Sequence, residues 1–199
     1  MKKIILGLTI VTTTLAFCNS NNKSTENLKR NEDLQLKSTI NNTSVITSSV
    51  ADAKSAVSVK EIINNYLQMK NAFTEDNSTG AASAGKKLEA AFKNFNKSTL
   101  TAAQKKTYED VEADAIEHAE HIGANGGNIE HQREHFELLS KDIYDLVKAF
   151  GGGQVLYKDF DPMFNKGKGA FWLSETKEIK NPYMGKAMPT SGSVIEEIK

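Results

Sequence analysis

The chain has 199 residues, with 25 Lys plus Arg against 25 Asp plus Glu, so its formal net charge at pH 7 is zero. That balance, with no basic patch interleaved with aromatics, removes the electrostatic case for nucleic acid or an anionic membrane surface as a partner. A single cysteine, Cys18, excludes any disulfide within one molecule.

Lys2 and Lys3, the apolar run Ile4 to Phe17 and then Cys18 form a secretory signal over residues 1–17, too short for a spanning helix. Leu15-Ala16-Phe17-Cys18 looks like a lipobox, the motif at which bacterial lipoproteins are cleaved and acylated on cysteine. Bulky Phe17 departs from that pattern, and the alternative is ordinary cleavage to a soluble periplasmic protein. Lipidation of Cys18 predicts a cell-envelope location in a Gram-negative-type bacterium, on the periplasmic face or outer membrane, with membrane contact only through the anchor. Of the 32 residues from Asn19 to Val50, 17 are Ser, Thr or Asn. Such a stretch cannot bury enough apolar surface to offset its ordering entropy, so residues 18–50 are expected to be the lipidated cysteine and a disordered tether. Residues 51–199 then form one domain.

From Ala51 to Phe150 the apolar period is helical. Val59, Ile62, Ile63, Tyr66, Leu67 and Phe73 make one buried stripe, and Ala84, Leu88, Ala91, Phe92 and Phe95 repeat it after a break at Asp76 to Gly80. Thr101 with Gln104 is a capping-box signature for a third helix, whose stripe runs through Tyr108, Val111, Ala115, Ala119 and Ile122. After the turn Gly123 to Gly127, Phe136, Leu139, Ile143, Leu146, Val147 and Phe150 mark a fourth, stopped by Gly151-Gly152-Gly153. Short connections make neighbours antiparallel, which predicts a mainly α fold: an up-and-down four-helix bundle. Val155 to Phe160, Ala170 to Leu173 and Val194 to Ile198 read as short extended pieces of an irregular C-terminal cassette, about residues 153–199, packed on the bundle.

All four histidines flank the third turn. His118 and His121 end one helix while His131 and His135 begin the next, so the hairpin brings both pairs to one pole. Spacings of three and four put each pair on one helical face, from which imidazoles can chelate a transition metal. The alternative is a solvated polar face with histidines capping carbonyls.

Gly153 to Gly192 contains three of the five methionines, all three prolines and the only tryptophan. Thioethers on a rigid, proline-punctuated loop are candidate soft-metal ligands, and equally candidate fillers of a small core. The fourth helix rises about 30 Å from His131 to Phe150, and Gln154 to Asp161, if extended, returns roughly 26 Å. A strand running back along the bundle would place Asp161 and Met163 near the histidines, whereas a strand sent outward would keep them apart. His with Met favours copper, and His with carboxylate favours zinc or Cu(II).

His121-Ile122, the run His131 to Phe136, Leu139-Ser140, Leu156-Tyr157, Pro162-Met163, Gly169 to Leu173, Glu178-Ile179, Asn181 to Gly185, Met188 and Gly192 together resemble a bacterial envelope domain, domain of unknown function 3347, over about residues 56–199. That domain occurs in lipoproteins and at the ends of membrane-fusion adaptors of copper and heavy-metal efflux systems. The resemblance implies an association with metal handling and an efflux adaptor as a partner. Relatives carry Cys-Pro-Met where this chain has Asp161-Pro162-Met163, and Cys-Gly where it has Ser191-Gly192. A metal site or disulfide made by those thiols would here be lost, or rebuilt with harder oxygen.

No nucleophile elbow, phosphate loop or complete di-metal carboxylate set is present, so no enzyme is expected. Two functions remain. One is an envelope lipoprotein that binds or buffers copper or zinc through His121, His131, His135 and Met163, with His118, Met184, Met188 and Asp161 as further ligands. The other is a metal-free module whose Trp172, Tyr183 and proline cassette pack on the bundle or dock on an efflux adaptor.

Overall fold

The computed structural model describes residues 59–199. The lipobox-like segment with Cys18 and the expected tether lie outside the described residues.

The first apolar stripe lies on one side of α1, residues 59–74, where Val59, Ile62, Ile63, Tyr66 and Phe73 are buried. The chain reverses over residues 75–77, with Asp76 at φ 53°. Asn77 then opens α2 (Ser78–Lys93), its side chain accepting from the Gly80 amide at 2.8 Å. This cap draws Gly80 into the helix, so the break is shorter than the Asp76 to Gly80 interval expected from the sequence. A 3-10 turn, Lys97–Thr99, leads to α3 (Ala102–Ala124). Thr101 and Gln104 cap α3 reciprocally: each backbone N–H donates to the other's side-chain oxygen at 3.2 Å. Asn128 caps α4 (Ile129–Phe150), which ends at Gly151 with φ 79°, a left-handed value suited to glycine.

The helices form the expected four-helix bundle, and their stripes meet in one core. Phe136 of α4 packs its ring against Tyr66 and Phe73 of α1, with centroids 5.2 and 5.1 Å apart. Each buried aromatic of this size contributes on the order of 2–3 kcal/mol of apolar transfer energy. Among the described residues no helix is long and apolar enough to cross a membrane.

Beyond the bundle the chain forms β1 (Leu156–Asp161), β2 (Ala170–Ser174) and β3 (Ser193–Ile198), an antiparallel sheet of order β2-β1-β3. An irregularity in the β1–β3 register falls between Lys158 and Asp159. Strict alternation from Leu156 would point Lys158 and Phe160 inward, but the register shift turns Asp159 and Asp161 inward instead. The sheet rests on α1 and α4. Tyr66 Oη, fully buried, accepts from the Leu173 amide at 3.0 Å and lies 2.8 Å from Ser140 Oγ, so one hydroxyl joins α1, α4 and β2.

Candidate metal centre

The pole that carries the histidines is held by a buried amide. Gln132, fully buried one residue after His131, donates through Nε2 to Ile122 O at 2.9 Å and to Ser78 O at 3.1 Å. Its Oε1 accepts from Ser78 Oγ at 2.7 Å, and that hydroxyl oxygen also accepts from the Gly127 amide at 2.7 Å. The end of α3, the start of α4 and the start of α2 are thereby locked in register. On that frame His118 and His121 face His131 and His135 across the hairpin.

His121, His131 and His135 each offer a nitrogen, and these atoms lie within 4.8 Å of one another. The His121 ring stacks on that of His135, with centroids 4.3 Å apart and planes 5° from parallel, while His131 meets His135 edge-on at 4.7 Å. His118 Nδ1 lies 3.2 Å from His135 Nδ1. A tetrahedral ion with nitrogens at 2.0–2.1 Å needs them about 3.3 Å apart, so ligation asks side-chain rotations that close the triad by up to about 1.5 Å. The His121 and His131 side chains are 45% and 34% exposed, leaving room for that adjustment.

The electrostatics keep the inner pair neutral. Burial pushes the His135 imidazole down to about 4, and the charge of His121, His131 and His118 beside it acts in the same direction. His118 is also lowered, chiefly by burial. Both therefore present lone pairs at neutral pH, as ligation requires. Glu134 Oε2 lies 3.5 Å from His131 Nδ1 and Glu117 Oε1 lies 4.0 Å from His121 Nε2, so a carboxylate stands beside each outer imidazole.

Asp161, Met184 and Met188 are elsewhere. Asp161 is fully buried within the cassette, where its carboxylate accepts from the Met163 amide at 2.8 Å and from Asn181 Nδ2 at 2.7 Å, with Ser191 Oγ 3.4 Å away. Those bonds occupy it, and it is no part of the imidazole group, which corrects the expectation that it could join the histidines. Met163 is 55% exposed and precedes the turn Phe164–Gly167. The chain does return along α4 after the strand, since Asn165 Nδ2 donates to Glu137 Oε2 at 3.2 Å. Phe164 and Asn165 line a groove with Glu130, Glu134 and Glu137, about 60–120° round α4 from His131, and with Leu138, about 20° from it. Met184 and Met188 flank the single turn Gly185–Ala187, which lies against Asp76 and Arg133. Arg133 is about 160–200° round the helix from the two histidines. Length along the strand predicted its reach, whereas the side of α4 it follows depends on tertiary packing.

Two carboxylates join the histidine seam: Asp142, which the sequence did not single out, and Asp114, which it offers only as one of several helix carboxylates. Asp142 follows His135 by seven residues and Asp114 precedes His118 by four, spacings that place each on the face of its histidine. Burial pushes the Asp142 carboxyl up to about 7, with Asp114 and Asp145 adding to the rise. The heptad spacing from His135 marks Asp142, and the four-residue spacing to His118 marks Asp114.

Residues 62–154 match the model of a family described as "Protein of unknown function (DUF3347)". The matched span runs from α1 through α4 to the glycine turn after it. No curated protein and no solved structure matches the chain.

Proposed function

We propose, with residues 62–154 belonging to this family of unknown function, that the protein is an envelope lipoprotein anchored through Cys18 whose α3–α4 pole binds a divalent transition-metal ion through His121, His131 and His135. The observation that carries this reading is the convergence of three imidazole nitrogens from two helices within 4.8 Å. An all-imidazole set suits Cu(II), Zn(II) and Ni(II), and the usual affinity order puts Cu(II) first. Cu(I), which thioethers would favour, draws no support from Met184 and Met188, which flank the turn packed against Arg133 on the far side of α4 from the histidines. The exposure of His121 and His131 fits capture and buffering, in connection with metal efflux, rather than a closed structural site.

Calorimetric titration of the purified chain with Cu(II) and Zn(II) tests the reading. Stoichiometric binding tighter than a few micromolar, about −8 kcal/mol, should vanish in the His131→Ala/His135→Ala variant. Absence of such binding in the parent favours the other function, a metal-free module that docks on an envelope partner such as an efflux adaptor. The anchor is tested separately: mass spectrometry of the membrane fraction should find an acylated Cys18, and Cys18→Ala should release the protein.

A further inference from the structure

The contact between His118 and His135 decides what kind of site the imidazoles make. His135 faces two sets of neighbours: its Nδ1 lies 3.2 Å from Nδ1 of His118, while its ring is stacked on His121 and met edge-on by His131. Neutral imidazoles meet nitrogen to nitrogen at that distance with a proton between them, one donating and one accepting. Were His118 the donor, His135 would carry its own proton on Nε2 and have no lone pair for an ion. Ligation by His135 selects the opposite arrangement, in which its Nδ1–H donates to His118 Nδ1 and Nε2 is free. A hydrogen bond at one ring nitrogen that fixes the tautomer and aims the other at a metal is the usual outer-shell pattern.

We propose that His118 is the positioning partner of His135 and not a fourth ligand, so that an ion on His121, His131 and His135 keeps one coordination position open to an outside donor. The proposal rests on the metal-binding reading above. Three protein ligands with an open position distinguish exchangeable centres from closed structural ones. The exposed edges of His121 and His131 put that position on the solvent side. The donor it takes is a nitrogen or oxygen ligand: water in the resting protein, an incoming imidazole when the ion is handed on.

Cu(II) is the probe. With one equivalent bound, the chain should show three imidazole nitrogens by pulsed electron paramagnetic resonance, and added azide or imidazole should shift the spectrum. His118→Ala should weaken Cu(II) binding about tenfold to a hundredfold while the count stays at three. His118→Gln, whose side-chain carbonyl can accept from His135 Nδ1, should recover most of that loss. Circular dichroism verifies folding, and the Gln variant carries the comparison should the Ala variant unfold. Four imidazoles in the parent falling to three in His118→Ala, or a spectrum unmoved by azide and imidazole, overturns the open-site proposal while metal binding stands. No stoichiometric Cu(II) uptake by the parent overturns the metal-binding reading and this proposal with it.

Discussion

Arg133 Nη2 donates to Asp76 Oδ1 at 2.7 Å, and the same guanidinium reaches Phe73 O at 2.9 Å and Pro182 O at 2.7 Å. One planar side chain therefore ties α4 to the end of α1, to the α1–α2 turn and to the cassette. Arg133→Ala should cost on the order of 3 kcal/mol, because it leaves the two carbonyls and Asp76 without their donor. Arg133→Lys should recover little, since an ammonium lacks the fork that serves three acceptors. Denaturant titration that finds the Lys variant as stable as the parent would refute this role. Arg133 also holds the Asp76 carboxyl below its usual range, so this pair's stabilisation is present above about pH 4 and fades as pH falls through the depressed value.

Gly185 closes the same clasp. Its φ is 53°, and a Cβ there would collide with Asp76 Oδ1 and Arg133 Nη2. Gly185→Ala is expected to destabilise the protein by roughly 2 kcal/mol or more, through both the left-handed backbone and the displaced ion pair. In an Asp76→Ala background the penalty should shrink, because one of the two clashing groups is gone. A thermal-melt double-mutant cycle with no coupling would contradict that account.

Asp159 and Trp172 stand opposite one another on β1 and β2, both fully buried, and neither the carboxylate nor the indole N–H finds a well-formed hydrogen bond among the described residues. Burial pushes the Asp159 carboxyl from 3.8 up to about 7, opposed by the Lys70 ammonium. Asp142 is raised to a similar value. Between about pH 4 and 7 the unfolded chain has released both protons while the folded chain keeps them, so stability falls as pH rises and levels off above 7. Each group adds a slope of up to about 1.4 kcal/mol per pH unit. Asp159→Asn should remove part of that slope and Asp159→Asn/Asp142→Asn most of it. Unfolding free energies that are flat from pH 4 to 7 in the parent would eliminate the effect.

Asp161 Oδ1 accepts from Ser191 Oγ at 3.4 Å, a contact between two segments of the cassette thirty residues apart. The contact makes this pair a candidate for a bridge, and the Asp161→Cys/Ser191→Cys variant in a Cys18→Ser background is expected to oxidise to an intramolecular disulfide. Two free thiols persisting under air, measured with Ellman's reagent, would show that the backbone geometry does not allow it.

Ion binding should raise stability by mass action. At free Zn(II) or Cu(II) a hundredfold above Kd, the gain is about 2.7 kcal/mol. For a domain of this size that corresponds to roughly 5–15 °C in Tm, reversed by chelator. The His131→Ala/His135→Ala variant should show no shift.

Helix positions were legible because they depend on nearby residues. The stripe through Tyr108, Val111 and Ala115, the Thr101–Gln104 cap and the glycines after Phe150 act within a few residues, and β1, β2 and β3 lie within one residue of their expected ends. Convergence of the histidine pairs was also legible, since a short turn between amphipathic helices leaves one geometry open to it. The site's membership was not. Nothing in the order of Lys158 and Asp159 announces the register shift that buries two aspartates, and no spacing says round which flank of α4 the returning strand carries Met163. The nearness of Asp161 to Ser191, and the service of Gln132 and Arg133 as scaffold beside the histidines, are likewise contacts between distant segments. Periodicity determines which face of an element is apolar. The rotation and register of one element against another emerge only when all the faces are buried together, and that mutual packing decides which side chains meet at the pole.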